Sequence, residues 1–319
     1  MLLDRESWIV LGGVGSLLTI ATLIALVLRL TSKQSKNRPT IENLFDRTLA
    51  WWVMVAVLIA ALAIGRYGVL VLFALLSFRA LREVVTLAHT RRGDHRTLFW
   101  AFFVAVPLQY LVLGLSWYGT FVVLLPVWGF LILTIRTAAA GDTTRFFERI
   151  SRLFWSLMIC VFFLSHVPAL LFVLPSTIAE YGAHLLIFLL LVAQISDVMQ
   201  YVFGKLFGRH KVAPSLSPSK TWEGLIGGIF TACAIGTGLW WMTPFSWWQA
   251  TFISLLICMM GFFGGLVMSA IKRDAGVKDW GTLIPGHGGV MDRIDGLAFA
   301  APAFFHVVMY FYSNVDGKL

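Results

Sequence analysis

The window from Ser269 to Asp295 concentrates residue types that can handle phosphate and metal ions. It reads SAIKRDAGVKDWGTLIPGHGGVMDRID, with five glycines at positions 276, 281, 286, 288 and 289. Basic side chains can bind phosphate, carboxylates can hold Mg²⁺ against phosphate oxygens, and glycines let backbone N–H groups approach an anion. Such polarity beside apolar segments is costly unless it is solvated or used. The residue types alone therefore leave two interpretations open, a solvated loop and a phosphate site.

A second stretch with similar potential runs from Asp197 to Gly228. Asp197 lies inside an apolar run, where a carboxylate needs a metal ion or a basic partner to offset its desolvation. Downstream, Ser217 and Pro218 are followed by Lys220 and Thr221 and then by a glycine-rich helix start. Hydroxyl and ammonium groups at a helix N-terminus suit a polyphosphate, although this loop alone is weak evidence. A structural ion pair remains the alternative for Asp197.

The composition excludes a soluble globular protein. The chain has 319 residues, of which 59% are hydrophobic and 13% charged. Apolar runs of nearly membrane-spanning length recur throughout, which predicts an all-α polytopic membrane protein. The net charge of +9 fits cytoplasmic loops and anionic substrates better than nucleic acid. Cysteines occur singly within apolar runs and predict neither disulfides nor a metal cluster.

Hydropathy and charge together predict ten transmembrane helices. With an outside N-terminus, all but three of the 25 lysines and arginines fall on the cytoplasmic side; the exceptions are Arg5, Arg66 and Lys318. Merging the short second and third spans into one, which hydropathy also allows, would place basic loops on both sides. We read the first span as retained, not as a signal peptide. The spans lie at roughly 8–30, 49–64, 68–81, 99–115, 118–135, 153–174, 184–203, 225–243, 250–271 and 296–313.

The two halves of the chain differ in chemical content. Residues 1–150 carry scattered arginines and histidines without ligand spacing, which we interpret as solvated faces and orientation signals. Residues 151–319 form the predicted catalytic region. Its motif loops, 204–224 and 272–295, are both predicted on the cytoplasmic side, where nucleoside triphosphates are found.

Both stretches resemble signatures of the phosphatidate cytidylyltransferase (CDP-diacylglycerol synthase) family, and the resemblance spans about residues 184–312. The first signature runs S-x-x-K-R, four residues, K-D, P-x-H-G-G, one residue, and x-D-R-x-D; the second runs D-x-x-A-Y-x-x-G-x-x-F-G and then A-P-x-x-S-P-x-K-T-x-x-G. A match of this length at fixed spacing is far more specific than a short glycine motif. The first is matched by Ser269, Lys272, Arg273, Lys278, Asp279, Pro285, His287, Gly288, Gly289, Asp292, Arg293 and Asp295.

The resemblance implies an activity and its participants. CTP and phosphatidate, or a related lipid phosphate, would give CDP-diacylglycerol and pyrophosphate for phospholipid biosynthesis, with Mg²⁺ and an open alternative of a second metal ion. The protein would reside in a bacterial inner membrane, in contact with the lipid bilayer. A homodimer is a further expectation from the family, and no nucleic acid partner is expected.

The resemblance also implies roles for individual residues. The expected catalytic residues are Asp292, Lys272, Arg273, His287 and Asp279. The expected substrate-binding residues are Ser217, Lys220, Thr221, Arg293 and Tyr201. The expected metal ligands are Asp292, as the principal one, with Asp197 and Asp295.

The chain departs from the family at several positions. Gly265 stands where the family typically has the Asp of a G-D-L sequence, which belongs to its metal site, and Met268 stands where many members have Glu. Gln200 replaces an Ala before the tyrosine, and Ser219 is a milder change. Losing a metal carboxylate would abolish activity, change the number of metal ions, or shift the work to another ligand, for which Gln200 is a candidate. The alternatives are therefore a catalytically weak relative that binds lipid or nucleotide and, from the many spans and Asp197, a transporter.

Overall fold

Ten long helices make up the part of the chain that the computed structural model describes, residues 2–31, 38–87, 91–283 and 288–313. Eight of these helices are long and apolar enough to cross a membrane, and α3 and α8 are shorter or more charged. The all-α polytopic prediction is confirmed. The helices are α1 Arg5–Thr31, α2 Arg38–Ile64, α3 Arg66–Thr86, α4 His95–Gly114, α5 Tyr118–Ala138, α6 Phe146–Ala169, α7 Gly182–Leu206, α8 Trp222–Gly238, α9 Trp247–Asp274 and α10 Met291–Ser313.

The second and third spans are two separate helices. Gly65 has a φ of 107°, a backbone conformation that favours glycine, and it ends α2 directly before α3 begins at Arg66. The alternative of one long span is therefore wrong. Both helices are longer than hydropathy indicated, because α2 begins at Arg38 and α3 continues to Thr86. A hydropathy window detects only the apolar part of a helix and therefore misses its polar ends.

Three helices contain a π-helical turn. The turns cover Ala101–Ala105 in α4, Leu124–Gly129 in α5 and Met158–Phe163 in α6. Wider turns of this kind interrupt the regular hydrogen-bond ladder within an otherwise continuous helix. Each helix nevertheless keeps a length that can span the bilayer.

Small residues bring the last four helices close together. A Cβ atom at Gly228 of α8 would lie 2.7 Å from the backbone nitrogen of Gln200 in α7. A Cβ atom at Gly264 of α9 would lie 2.8 Å from the side chain of Phe299 in α10. Small residues at helix crossings allow this close packing in membranes. These contacts fix α7, α8, α9 and α10 around the residues of both motifs.

A short hairpin is the one exception to the helical fold within the described residues. Strands β1, Lys211–Ala213, and β2, Ser217–Thr221, pair antiparallel between α7 and α8. Arg273, near the end of α9, donates from Nε to the backbone oxygen of Leu216 in the turn between the strands, at 3.3 Å. The hairpin and the end of α9 therefore lie at the same end of the helix bundle, as the sequence predicts for the two motif loops.

Candidate active site

Charged side chains from α7, α10 and β2 form one polar cluster, which is called the cleft below. Asp197 of α7, Asp295 of α10 and Lys220 of β2 interact electrostatically with one another. Asp197 is exposed although it lies in an apolar helix. Within the described residues neither carboxylate forms a direct ion pair, and Asp295 accepts one hydrogen bond, from the nitrogen of Gly296 at 2.7 Å. Carboxylate oxygens that remain open in this way fit a hard divalent cation.

Lys220 reaches into this cleft from the edge of the hairpin. Its ammonium group lies 3.5 Å from the backbone oxygen of Phe262 and 4.7 Å from the centre of the Phe262 ring. A Cβ atom at Gly265 would lie only 2.7 Å from Lys220 Nζ. Burial lowers the pKa of Lys220, and the nearby Asp295 and Asp197 oppose that shift. The glycine at 265 thus makes room for the ammonium group.

Arg293 contributes a cationic group with unused hydrogen-bonding capacity. It lies in the first turn of α10, and its buried Nε has no hydrogen-bond partner among the described residues. Arg293 interacts electrostatically with Asp295 and with Arg47 of α2. A buried charged donor without an acceptor is costly, and a phosphate oxygen would satisfy it.

Asp292 is almost fully used by contacts within the protein. Its side chain is 4% exposed, and Oδ1 accepts a hydrogen bond from Lys272 Nζ at 2.8 Å. Oδ2 accepts from the backbone nitrogens of Trp280 at 2.8 Å and Gly289 at 2.9 Å. Gly288, with a φ of 84°, shapes the loop next to this carboxylate. Asp292 therefore ties Trp280 and Gly289 to the start of α10, and among the described residues no contact uses the second lone pair of Oδ1.

Two predicted substrate contacts lie on the hairpin. Thr221 is buried and is the N-cap of α8, because its Oγ1 accepts from the nitrogen of Gly224 at 3.2 Å. Ser217 is partly exposed, and its hydroxyl lies 3.5 Å from that of Ser219. Thr221 thus has a clear local role in starting the helix, whereas the Ser217 hydroxyl is available to a ligand.

The remaining predicted site residues occupy the margin of the cleft or fall outside the described part. Tyr201 is exposed, with the cationic groups of Arg47 and Lys205 near its ring. Asp279 is exposed and close to Gly288. Arg273 is exposed and joins the hairpin to α9. His287 lies outside the described residues.

Glu83 is a site-shaping residue that the sequence did not reveal. It lies near the end of α3, and its two carboxylate oxygens accept hydrogen bonds from the nitrogens of Val290, at 3.0 Å, and Met291, at 2.9 Å. It thereby provides an anionic cap for the start of α10, directly before Asp292. Arg47 was missed in the same way. Glu83 is a single carboxylate among arginines in the N-terminal half, where no motif was found. Its position in the sequence therefore gave no signal that could connect it with Val290, 207 positions away.

Comparison with known proteins identifies the family to which this arrangement of residues belongs. The model of the cytidylyltransferase family matches residues 45–311, which is most of the chain. The chain belongs to the cytidylyltransferase family. This places the protein among nucleotidyltransferase enzymes, and the match includes α3 and most of α2 as well as the motif loops.

The individual relatives differ in the share of this chain that their matches cover. The uncharacterized protein YnbB of Escherichia coli K12 is 43% identical over 268 residues, 83% of this chain and 87% of YnbB. The phosphatidate cytidylyltransferase of Staphylococcus aureus strain COL is 38% identical over 123 residues, and that of Staphylococcus saprophyticus is 39% identical over 123 residues. Each of these two matches covers 38% of this chain and 47% of the relative, which is less than half of its length.

A largely apolar cavity of about 510 Å³ lies on another face of α9. Its walls come from α3, α6, α9 and the loop after α9, and include Trp155, Met268, Ile271 and Trp280. The backbone nitrogen of Trp280 donates a hydrogen bond to Asp292 Oδ2. The cavity therefore adjoins the loop that Asp292 holds.

Proposed function

We propose that the protein is a CTP:phosphatidate cytidylyltransferase that makes CDP-diacylglycerol and pyrophosphate for phospholipid biosynthesis. The observation that carries this proposal is one cleft that combines open carboxylates, Asp197 and Asp295, with cationic donors that lack strong protein acceptors, Lys220 and Arg293. Both kinds of group are needed where a metal ion and a polyphosphate bind together. The staphylococcal relatives are phosphatidate cytidylyltransferases, which supports phosphatidate and a cytidine nucleotide as the substrates.

The proposed reaction is a direct nucleotidyl transfer. An oxygen of the lipid phosphate attacks the α-phosphorus of CTP, the bond from that phosphorus to the bridging oxygen breaks, and pyrophosphate leaves. Lys220 and Arg293 would bind phosphate oxygens and stabilise the charge that moves to the leaving group. Ser217 would donate a hydroxyl contact from the hairpin, with Tyr201 at the margin of the site.

The residues present fit a magnesium ion. Asp197 and Asp295 offer open oxygens, and Asp292 retains one lone pair beside its bond to Lys272. A bound Mg²⁺ would neutralise phosphate charge near the reacting phosphorus. Asp292 and Lys272 would keep the loop and the phosphate-binding groups at fixed positions, and Arg273 would tie the hairpin to α9. Asp279 and His287 are proposed to act from the same loop.

The proposed membrane arrangement follows from the charge distribution. Both motif loops would face the cytoplasm of a bacterial cell, since the predicted inside loops hold nearly all basic residues. The lipid would approach sideways from the bilayer, with an acyl chain in the cavity of about 510 Å³ beside Trp280. A homodimer stays a prediction from the family resemblance.

Pyrophosphate release from the purified protein tests this function. The assay contains CTP, phosphatidate and Mg²⁺ in detergent micelles, and CDP-diacylglycerol is identified by mass spectrometry. Release should require both substrates and should vanish in Asp295→Asn. Absence of product from a folded protein that still binds CTP would instead support a weak relative, the alternative that Gly265 motivates.

A further inference from the structure

The charges around the cleft show no excess of negative charge. The carboxylates at or beside it are Asp197, Asp279, Asp292 and Asp295. Lys220, Lys272 and Arg293 are in electrostatic contact with these carboxylates, and a further basic group, Arg47, interacts with Arg293. Magnesium dehydrates reluctantly and usually binds through one or two carboxylates together with substrate phosphates. A balanced site of this kind offers a divalent cation little attraction before an anionic ligand arrives.

The position of Lys220 explains why positive and negative charges balance in the cleft. Its ammonium is held by the carbonyl and ring of Phe262 and lies where a side chain at 265 would begin. Because residue 265 is glycine, the ammonium can approach this part of α9, close enough to interact with both Asp197 and Asp295. A side chain at 265 would push the ammonium away, and an acidic one would also add negative charge.

We propose that Lys220 acts as a built-in counter-cation for Asp197 and Asp295, so that the cleft binds a divalent cation only together with a nucleoside triphosphate. This rests on the proposed function, since the triphosphate is the ligand that brings the missing negative charge. On its arrival, the ammonium of Lys220 can bind a phosphate oxygen, and the triphosphate adds the negative charge that attracts the cation to the open carboxylate oxygens. Gly265 is a specificity-determining position in this scheme, because its lack of a side chain admits the ammonium.

Binding of Mn²⁺ to the purified full-length protein tests the proposal without an activity readout. Free Mn²⁺ is measured by electron paramagnetic resonance, with and without a non-hydrolysable CTP analogue. The wild-type protein should bind Mn²⁺ at least about tenfold more tightly when the analogue is present. CTP-analogue binding without metal is measured separately by equilibrium dialysis.

Two matched variants separate charge from shape. Gly265→Asp should bind Mn²⁺ without nucleotide, at least about tenfold more tightly than the wild type. Gly265→Asn, which has the same shape without the charge, should gain less, because its side chain displaces the Lys220 ammonium but adds no negative charge. Lys220→Met should also gain nucleotide-independent binding, and Lys211→Met, on the exposed partner strand, should not.

The outcomes distinguish failure of this inference from failure of the proposed function. Tight Mn²⁺ binding by the wild type without nucleotide, abolished by Asp197→Asn, would overturn the counter-cation role and leave the function intact. No binding of the CTP analogue with or without Mn²⁺ would overturn both. Mn²⁺ binding like that of the wild type in both Gly265→Asn and Lys220→Met would also overturn the inference, since displacing or removing the ammonium would then leave cation binding unchanged.

Discussion

The loop between α9 and α10 and the cleft beside it use carboxylates in opposite ways. Around the loop, Asp292 of α10 accepts three hydrogen bonds from described residues and Glu83 of α3 accepts two. In the cleft, Asp197 and Asp295 have no direct ion pair within the described residues. A carboxylate whose oxygens are satisfied positions the backbone, and one left open is ready for a ligand. Motif spacing identifies Asp292, Asp197 and Asp295 without distinguishing their roles.

Asp292→Ala tests the loop with the largest expected effect. We expect no detectable cytidylyl transfer together with a loss of at least about 3 kcal/mol in stability, because Lys272 loses the partner of a buried ion pair. Activity is measured by pyrophosphate release and stability by thermal unfolding in detergent. Turnover like that of the wild type would contradict any essential role for Asp292.

Asp197→Asn tests the cleft and should separate activity from stability. We expect turnover to fall by roughly 10³-fold, because a proposed metal ligand is lost. Stability should stay the same or rise, since an open carboxylate in a membrane helix opposes folding. Gln194→Ala on the same helix is the control and should keep both values. A large loss of stability in Asp197→Asn would place Asp197 with the positioning carboxylates instead.

The sequence predicted the helices well because membrane spans obey a simple rule. Apolar length and basic loops gave ten spans, and the structure has ten long helices within its described residues. The ends were less predictable, since polar helix turns such as the one that carries Glu83 lie beyond the apolar window. The hairpin at Lys211–Thr221 was not predicted either, because two strands this short have little pattern of their own.

The candidate site was predictable only where its residues are neighbours in sequence. The motifs led to Asp197, Lys220 and Asp292, and the structure brings their segments to one end of the bundle. Glu83 and Arg47 depend on packing between distant helices, which no spacing reveals. The contact between Lys220 and the space at Gly265 is equally non-local. The effect of the glycine at 265 can be inferred only once Lys220 is known to lie beside it.

Glu83→Gln tests whether the N-terminal half, which carries no motif, contributes to the site. The amide keeps one acceptor, but its NH₂ group faces a backbone donor and the negative charge at the start of α10 is lost. We expect kcat to fall about tenfold and stability by about 1–2 kcal/mol, with KM for CTP little changed. Glu148→Gln, an exposed carboxylate, is the control. A rise in KM for CTP with kcat unchanged would indicate that Glu83 affects binding instead of loop position.

Ala270→Phe tests the cavity beside the loop and has the smallest expected effect. Ala270 lines the cavity of about 510 Å³, so a phenyl ring would occupy space proposed for an acyl chain. We expect KM for phosphatidate to rise about three- to tenfold, corresponding to about 1 kcal/mol of lost apolar contact, while KM for CTP stays constant. Ala139→Phe, at an exposed helix end, controls for added surface.

The chain length of the lipid makes the cavity experiment decisive. If the cavity holds an acyl chain, the defect of Ala270→Phe should shrink for short-chain phosphatidate, because less of that chain reaches the blocked space. A defect that is equal for short and long chains would place the acyl chain elsewhere and leave the headgroup chemistry untouched. A change in KM for CTP would show that the substitution disturbs α9 and, through it, the cleft around Gly265 and Lys220.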